Sequence, residues 1–295
     1  MIFRPITAAE LTLFNRLPYV LNHELADDLA DGRRHPEWLW VALDDDRLVA
    51  RVAWWGRDRI PTLLDILDLA SPADIGTATE LVTRAAAAVV PAGSPEYVRF
   101  APPDWRTAPA DVESRMAVLA ATGASFTLER LRLEWRPGTP VPPPDDRLTF
   151  APAGADLIAL LTRILDGTLD AHSRDDLASM SAHEVATQQY EDEFARYDTP
   201  RDWWRVGHRA DGEPVGLVIA ARNAYNPVIA YLGVLPEHRG HGYANGILAE
   251  GTRVLAEADA PRIRASTDVG NEPMARAFAK AGYVNFERTV TMTWD

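Results

Sequence analysis

The chain has 295 residues, enough for one large domain or two of about 150. Its 30 Lys plus Arg against 43 Asp plus Glu leave a net charge of -13, which repels nucleic acid and anionic membrane at long range and favours a small or cationic partner. There is no cysteine to form a disulfide or a thiolate site, no apolar run approaches the roughly 18 residues of a membrane span, and Arg4 and Glu10 interrupt the first apolar stretch, so the expectation is a soluble cytoplasmic protein, monomer or homodimer.

In chain order, the first half opens on a short apolar segment with Phe3 and Pro5, then two apolar strands around a hairpin at residues 44–46 that follows Trp38. A further strand at 63–69 runs into a helix, and the half closes on a segment between Gly123 and Trp135. Residues 136–146 carry Pro137, Pro140, Pro142, Pro143 and Pro144, which forbid a helix and favour a stiff, extended connection. The second half repeats the order of the first. Phe150 and Pro152 answer Phe3 and Pro5, Trp204, Val215 and Gly216 answer Trp38, Val49 and Ala50, residues 228–234 answer 63–69, and Gly282 and Trp294 answer Gly123 and Trp135. Collinear matches over nearly the whole of each half predict tandem copies of one fold. The expected domains are residues 1–136, a linker at 137–147, and residues 148–295.

The elements of the second copy follow from period and punctuation. A strand is expected at 148–150, then an amphipathic helix over 156–168 with Leu157, Leu160, Leu161, Ile164 and Leu165 on one face. A polar helical stretch over 181–197 precedes strands at 203–208, 214–221 and 228–235. A helix over 242–258, a strand at 262–267, a helix over 272–281 and a strand at 285–294 complete an α/β sheet with helices on its faces.

The strand at 228–235 runs into Pro236, Glu237, His238, Arg239, Gly240, His241, Gly242, Tyr243 and Ala244, and then a helix. The first N–H groups of a helix have no partner within it, so such a turn can hold an anion, and glycines let it approach the backbone. A tight strand-to-helix turn with no ligand has the same residues. The spacing Leu232-x-Val234-x-Pro236-x-x-Arg239-x-x-Gly242-x-Ala244 resembles the acetyl-CoA signature of the GNAT superfamily, the GCN5-related N-acetyltransferases. The segment from Asn271 to Tyr283, an Asn opening a helix that ends at Gly plus an aromatic, is similar to that family's second block.

The resemblance implies two tandem GNAT folds, each a mixed, mostly antiparallel sheet flanked by helices, an arrangement also like that of mycothiol synthase. It implies acetyl-CoA as cosubstrate, entering where two central strands splay apart. Leu232, Gly233 and Val234 would pair with the pantetheine arm, and the Val234 N–H would polarise the thioester carbonyl. Arg239, Gly240, His241, Gly242, Tyr243 and Ala244 would hold the pyrophosphate, with Asn271 and Phe278 on the other wall. In the first copy Ala73 and Asp74 stand opposite Arg239 and Gly240, so a carboxylate lies where phosphates would, and this copy is expected to be structural.

Transfer to an amine requires the ammonium to lose a proton. Val228 stands where histone-type members carry a Glu base, and Phe278 where many carry a Tyr acid. Candidates lie in residues 166–202, which hold ten acids and three arginines, net -7, and which in this fold cover the acceptor site. A solvated helical surface has the same composition; the functional reading is attraction of a cationic acceptor. Asp268, Tyr190 and Asp170 are the catalytic candidates, with His172, His183, Asn223 and Asn226 as further pocket candidates. His238 and His241 flank the turn, and with no third ligand near in sequence no metal is expected. The function implied is an acetyl-CoA-dependent N-acetyltransferase acting on a small, cationic amine. Alternatives are a CoA-sensing protein without turnover, or acyl transfer to oxygen or of a larger acyl group.

Overall fold

The computed structural model describes residues 1–90 and 95–294. The chain forms two compact units, residues 1–129 with 287–295, and residues 130–286. No helix among the described residues is long and apolar enough to cross a membrane.

The first unit contains β1 (Ile2–Pro5), α1 (Leu11–Phe14), α2 (Leu25–Ala30), β2 (Leu39–Asp44), β3 (Arg47–Arg57), β4 (Ile60–Leu69), α3 (Ile75–Val89), β5 (Tyr97–Ala101) and α4 (Ala110–Ala120). Strand β6 (Ala124–Trp135) then carries the chain into the second unit, which adds β7 (Thr149–Pro152), α5 (Leu157–Ile164), α6 (Ala171–Asp176), α7 (Ala182–Asp192), β8 (Trp204–His208), β9 (Pro214–Arg222), β10 (Pro227–Val234), α8 (Tyr243–Glu257), β11 (Ile263–Asp268) and α9 (Glu272–Lys280). The last strand, β12 (Val284–Trp294), returns to the first unit, where Arg288 to Met292 pair with β5.

The strand order is β1-β2-β3-β4-β5-β12 in the first unit and β6-β11-β10-β9-β8-β7 in the second. Within each, neighbouring strands run antiparallel except for one central parallel pair, β4 with β5 and β10 with β11. The two units repeat one mixed, mostly antiparallel strand plan, as the repeat predicts.

The unit boundaries differ from those expected at 137–147. Strand β6, the end of the first repeat, pairs with β11, and β12, the end of the second, pairs with β5. Because Gly123 and Trp135 match Gly282 and Trp294, the two final strands present equivalent edges, and each is used by the other half of the chain. The proline segment is also no free linker. It packs on the second unit: Val141 joins the core there, Asp145 sits against Gly246, and Arg147 donates to the His241 carbonyl at 3.0 Å and stacks on Tyr243.

Apolar periodicity explains the placement of the helices. Leu157, Leu160, Leu161 and Ile164 bury one face of α5 against Val206, Leu217, Ile219 and Leu235, and each such side chain contributes about 1.5–3 kcal/mol. On the other sheet face, Ile247, Leu248, Val254 and Leu255 of α8 join Val218, Ile229 and Ile263.

The central parallel strands part company almost at once in both units. Among the described residues, β4 is in register with β5 only at Leu64–Tyr97, and β10 with β11 only at Val228–Arg264. In the first unit the gap is filled by charge. Asp68, 1% exposed, accepts hydrogen bonds from Arg51 of β3, Arg99 of β5 and Arg115 of α4 at 2.7–2.9 Å, and Arg115 Nε also donates to the Leu67 carbonyl at 2.8 Å. Burial alone would raise the Asp68 carboxyl, but Arg99, Arg51 and Arg115 outweigh it and hold the group below its ordinary range.

Removing one partner of a buried ion cluster leaves the rest uncompensated, typically at about 3–5 kcal/mol. Asp68→Asn is expected to lower stability by that order in urea denaturation at pH 7. Because the folded-state value is depressed, this stabilisation is complete above the unfolded value near pH 4 and is lost as pH falls through the folded one. The difference between wild type and variant should therefore shrink below about pH 4, and a constant difference across that range would contradict the assignment.

Candidate functional site

In the second unit the same divergence remains open. The Leu235 N–H donates to the Val215 carbonyl at 2.8 Å, which fixes the alternation of the β9–β10 ladder. With Val234 opposite Gly216 and Leu232 opposite Val218, the main-chain groups of Leu232 and Val234 point away from β9, toward the side on which β11 has diverged. A bulge between Ile229 and Tyr231 bends β10 at the start of this stretch.

A cavity of about 740 Å³ lies along that edge. Leu232, Gly233 and Val234 form one side, the turn residues Arg239, Gly240, Gly242, Tyr243 and Ala244 one end, and Asn271, Met274, Ala277 and Lys280 the facing wall. These include nine of the eleven residues that the sequence assigned to cofactor binding. Gly242, at φ +78°, caps α8 in a left-handed conformation that a side chain would strain, and it turns the first N–H groups of α8 toward the cavity end. Asn271 caps α9, its side chain accepting from the Met274 N–H at 3.3 Å.

The remaining two belong elsewhere. Phe278 is 3% exposed and packs edge-on against Tyr283, 5.0 Å between centroids, in the core beneath α9. The helix turns Met274, Ala277 and Lys280 to the cavity instead, an i, i+3, i+6 face that its own period could have revealed. His241 lines a second cavity of about 650 Å³, enclosed by residues 139–147, α8 and the end of α9.

Arg239 reaches the cavity, but its guanidinium is engaged with protein. It donates to the carbonyls of Val234 at 3.1 Å, Ile164 at 2.6 Å, Asp166 at 2.6 Å and Gly167 at 3.1 Å. The last three are carbonyls at and just beyond the C-terminus of α5, which lack helical partners and carry the negative end of the helix dipole. Gly167 has φ +61°, and a Cβ there would lie 3.1 Å from Arg239 Nη1, so the residue admits both the turn and the guanidinium. Arg239 thus ties the end of β10 to the end of α5, rather than presenting an unpaired cation to phosphate.

The catalytic candidates separate in the same way. Asp268, 4% exposed, accepts from Arg130 Nε at 2.6 Å and from the Ala171 N–H at 2.7 Å. Asp170 accepts from Arg130 Nη2 at 2.7 Å and caps α6 through the Ser173 N–H at 2.9 Å. Arg130, which sequence reasoning missed because it lies on the last strand of the first repeat, therefore brings Asp170 and Asp268 together and pins the start of α6 to the end of β11. Neither carboxylate lines the 740 Å³ cavity. Tyr190 packs edge-on against Trp204 in the α5–α7 core, also away from it. Asn223 and Asn226 form the β9–β10 turn, with Asn226 held by Arg262. Val228 sits where β10 and β11 are still paired.

Tyr231 is the side chain that sequence reasoning overlooked. It lines the cavity on the α5 side, and burial, with Asp170 adding to it and Arg239 opposing, holds its hydroxyl protonated well above the ordinary tyrosine range.

Residues 169–283 match the model of the acetyltransferase (GNAT) family. The chain carries a GNAT domain. A GCN5-related N-acetyltransferase from Sphaerobacter thermophilus is similar over 99% of this chain and 94% of its own, at TM-score 0.61 and 15% identity. A GNAT-family acetyltransferase from Colwellia psychrerythraea is similar over 100% of both chains, at TM-score 0.52 and 14% identity. A tandem GNAT protein from the clavulanic acid biosynthesis pathway, in its form without AcCoA, is similar over 99% and 97%, at TM-score 0.53 and 17% identity. At these identities the likeness is one of fold, and it extends over both units.

Arg239→Gln is expected to cost about 2–3 kcal/mol in urea denaturation without any ligand, because charge-assisted bonds to several carbonyls are lost and one amide cannot replace them. Unchanged stability would contradict the role of Arg239 as a tie.

Proposed function

We propose that the second unit binds acetyl-CoA and transfers its acetyl group to the amine of a small, cationic acceptor. The observation that carries this reading is the single residue pair joining β10 to β11, which leaves the backbone of Leu232 and Val234 facing a cavity of about 740 Å³. The pantetheine amides would complete the ladder along that edge, as an added strand does. The Gly240–Ala244 turn would receive the pyrophosphate through backbone N–H groups at the start of α8, and Lys280 would supply a cation on the facing wall. The first unit is proposed to be structural, since Asp68 and its three arginines occupy the corresponding gap.

In this reading the Val234 N–H stabilises charge as it develops on the thioester oxygen. The amine forms its bond to the acetyl carbon as the carbon–sulfur bond breaks. Tyr231, which lines the cavity, gives its proton to the departing thiolate, and the amine's proton passes through water to restore the tyrosine hydroxyl, since neither Asp170 nor Asp268 lines the cavity. The acidic surface of residues 166–202 supports a cationic acceptor by raising its local concentration. The engagement of both carboxylates with Arg130 and with backbone N–H groups also favours a second reading, a CoA-sensing protein without turnover.

A panel of amines ranked by charge, with release of CoA thiol as readout, separates the two. Turnover is expected with cationic amines, and Tyr231→Phe should lower kcat by roughly 10²-fold or more with little change in the KM for acetyl-CoA. Binding of acetyl-CoA with no turnover across the panel would favour the sensor, and best rates with anionic acceptors would contradict the charge argument.

A further inference from the structure

One cluster lies at the rim of the 740 Å³ cavity, which His238 also lines, and takes no part in the acyl transfer proposed above. His238, the last residue of the 3₁₀ turn Pro236–His238, is 7% exposed, and its Nε2 is buried with no hydrogen-bond partner. That nitrogen faces Glu213 Oε1 at 3.7 Å, too far for a hydrogen bond, and the ligand atoms of Glu213, Glu237 and His238 all lie within 4.8 Å of one another. Glu213 ends the turn between β8 and β9, so the hairpin brings to the histidine a carboxylate that is 25 residues away in sequence. This is the third ligand that the sequence did not offer.

Two cations face the cluster. Arg209 Nη1 holds Glu213 Oε2 at 3.1 Å, and Arg163 holds Glu237 Oε1. Each leaves the other carboxylate oxygen available, and for Glu213 that is the oxygen directed at His238. Tyr243 lies edge-on to the imidazole, 6.1 Å between centroids, and supplies no competing charge.

We propose that Glu213, Glu237 and His238 form a site for a divalent cation of the zinc class, which fastens the β8–β9 turn to the turn that leads into Arg239. One imidazole and two carboxylates suit zinc and its first-row neighbours, whereas magnesium and calcium prefer oxygen ligands alone. A tetrahedral ion with bonds of about 2.1 Å sets its ligand atoms about 3.4 Å apart. The separation of 3.7 Å is therefore close to that of a bridged pair, and both glutamates are exposed enough to rotate inward. A bound ion would also give the buried Nε2 the partner it lacks. Arg239 follows His238 directly, so an ion here would brace the tie between β10 and α5 from the opposite side.

The test uses the untagged full chain, freed of metal by chelator and titrated with ZnCl2 by calorimetry, with thermal unfolding followed in parallel. Wild type is expected to take up about one equivalent with a rise in Tm of several degrees, while MgCl2 leaves Tm unchanged. Glu213→Gln, on an exposed turn outside the 740 Å³ cavity, should weaken zinc binding at least about tenfold with an unchanged circular dichroism spectrum, and His238→Gln should do the same. His23→Gln, at an exposed histidine beside Glu24, should bind zinc like wild type. Absence of stoichiometric binding to wild type, or wild-type affinity in both the Glu213 and His238 variants, would overturn the proposal.

Discussion

Two parallel strands that diverge after one residue pair leave main-chain donors and acceptors facing a gap, and a buried backbone group without a partner costs free energy comparable to a lost hydrogen bond. Both units of this chain contain that gap, and each meets the requirement differently. In the first, Arg115 donates from α4 to the Leu67 carbonyl on the edge of β4, while Asp68 gathers Arg51, Arg99 and Arg115 into the space beyond. In the second, Met274 occupies the position on α9 that Arg115 has on α4, counting from the matched Gly282 and Gly123, and the edge of β10 borders a cavity. One repeat fills the space between its splayed strands with its own side chains; in the other, Arg239 meets the Val234 carbonyl and the rest of the edge borders the cavity.

The same contrast governs how charge is used. Arg239 and Arg130 are both spent on holding the walls of the open gap in place. Arg239 binds the carbonyls that end α5, and Arg130 joins the cap of α6 to the end of β11. A guanidinium can serve several carbonyls or two carboxylates at once because its donors form a rigid fork. What this leaves for an anionic group at the turn is the backbone itself, together with Lys280 on α9. Recognition through N–H groups at a helix start does not require a side-chain cation, which is consistent with an acidic chain carrying an anion site.

Much of this was legible in the sequence because it depends on local rules. The strands of the second unit and the helices α8 and α9 fall within one or two residues of the periodicity, and Gly242 marks the left-handed cap before α8 as glycine spacing suggests. The repeat itself was visible in paired residues such as Trp135 and Trp294. What escaped the sequence was pairing over distance. Nothing local tells that the strand ending at Trp135 joins β11, or that the strand ending at Trp294 joins β5, since the two are interchangeable by their own residues. Arg130 went unnoticed for that reason, and Tyr231 because a tyrosine in a central strand reads as core. Phe278 and Tyr190 were assigned to the site from position alone, whereas packing against Tyr283 and Trp204 turns each of them away.

The central claim is that one gap is open and the other closed, and binding stoichiometry tests it most directly. Calorimetric titration of the full chain with CoA should give one site per chain, and that site should survive Asp74→Arg in the first unit. Two sites per chain, or none, would contradict the account.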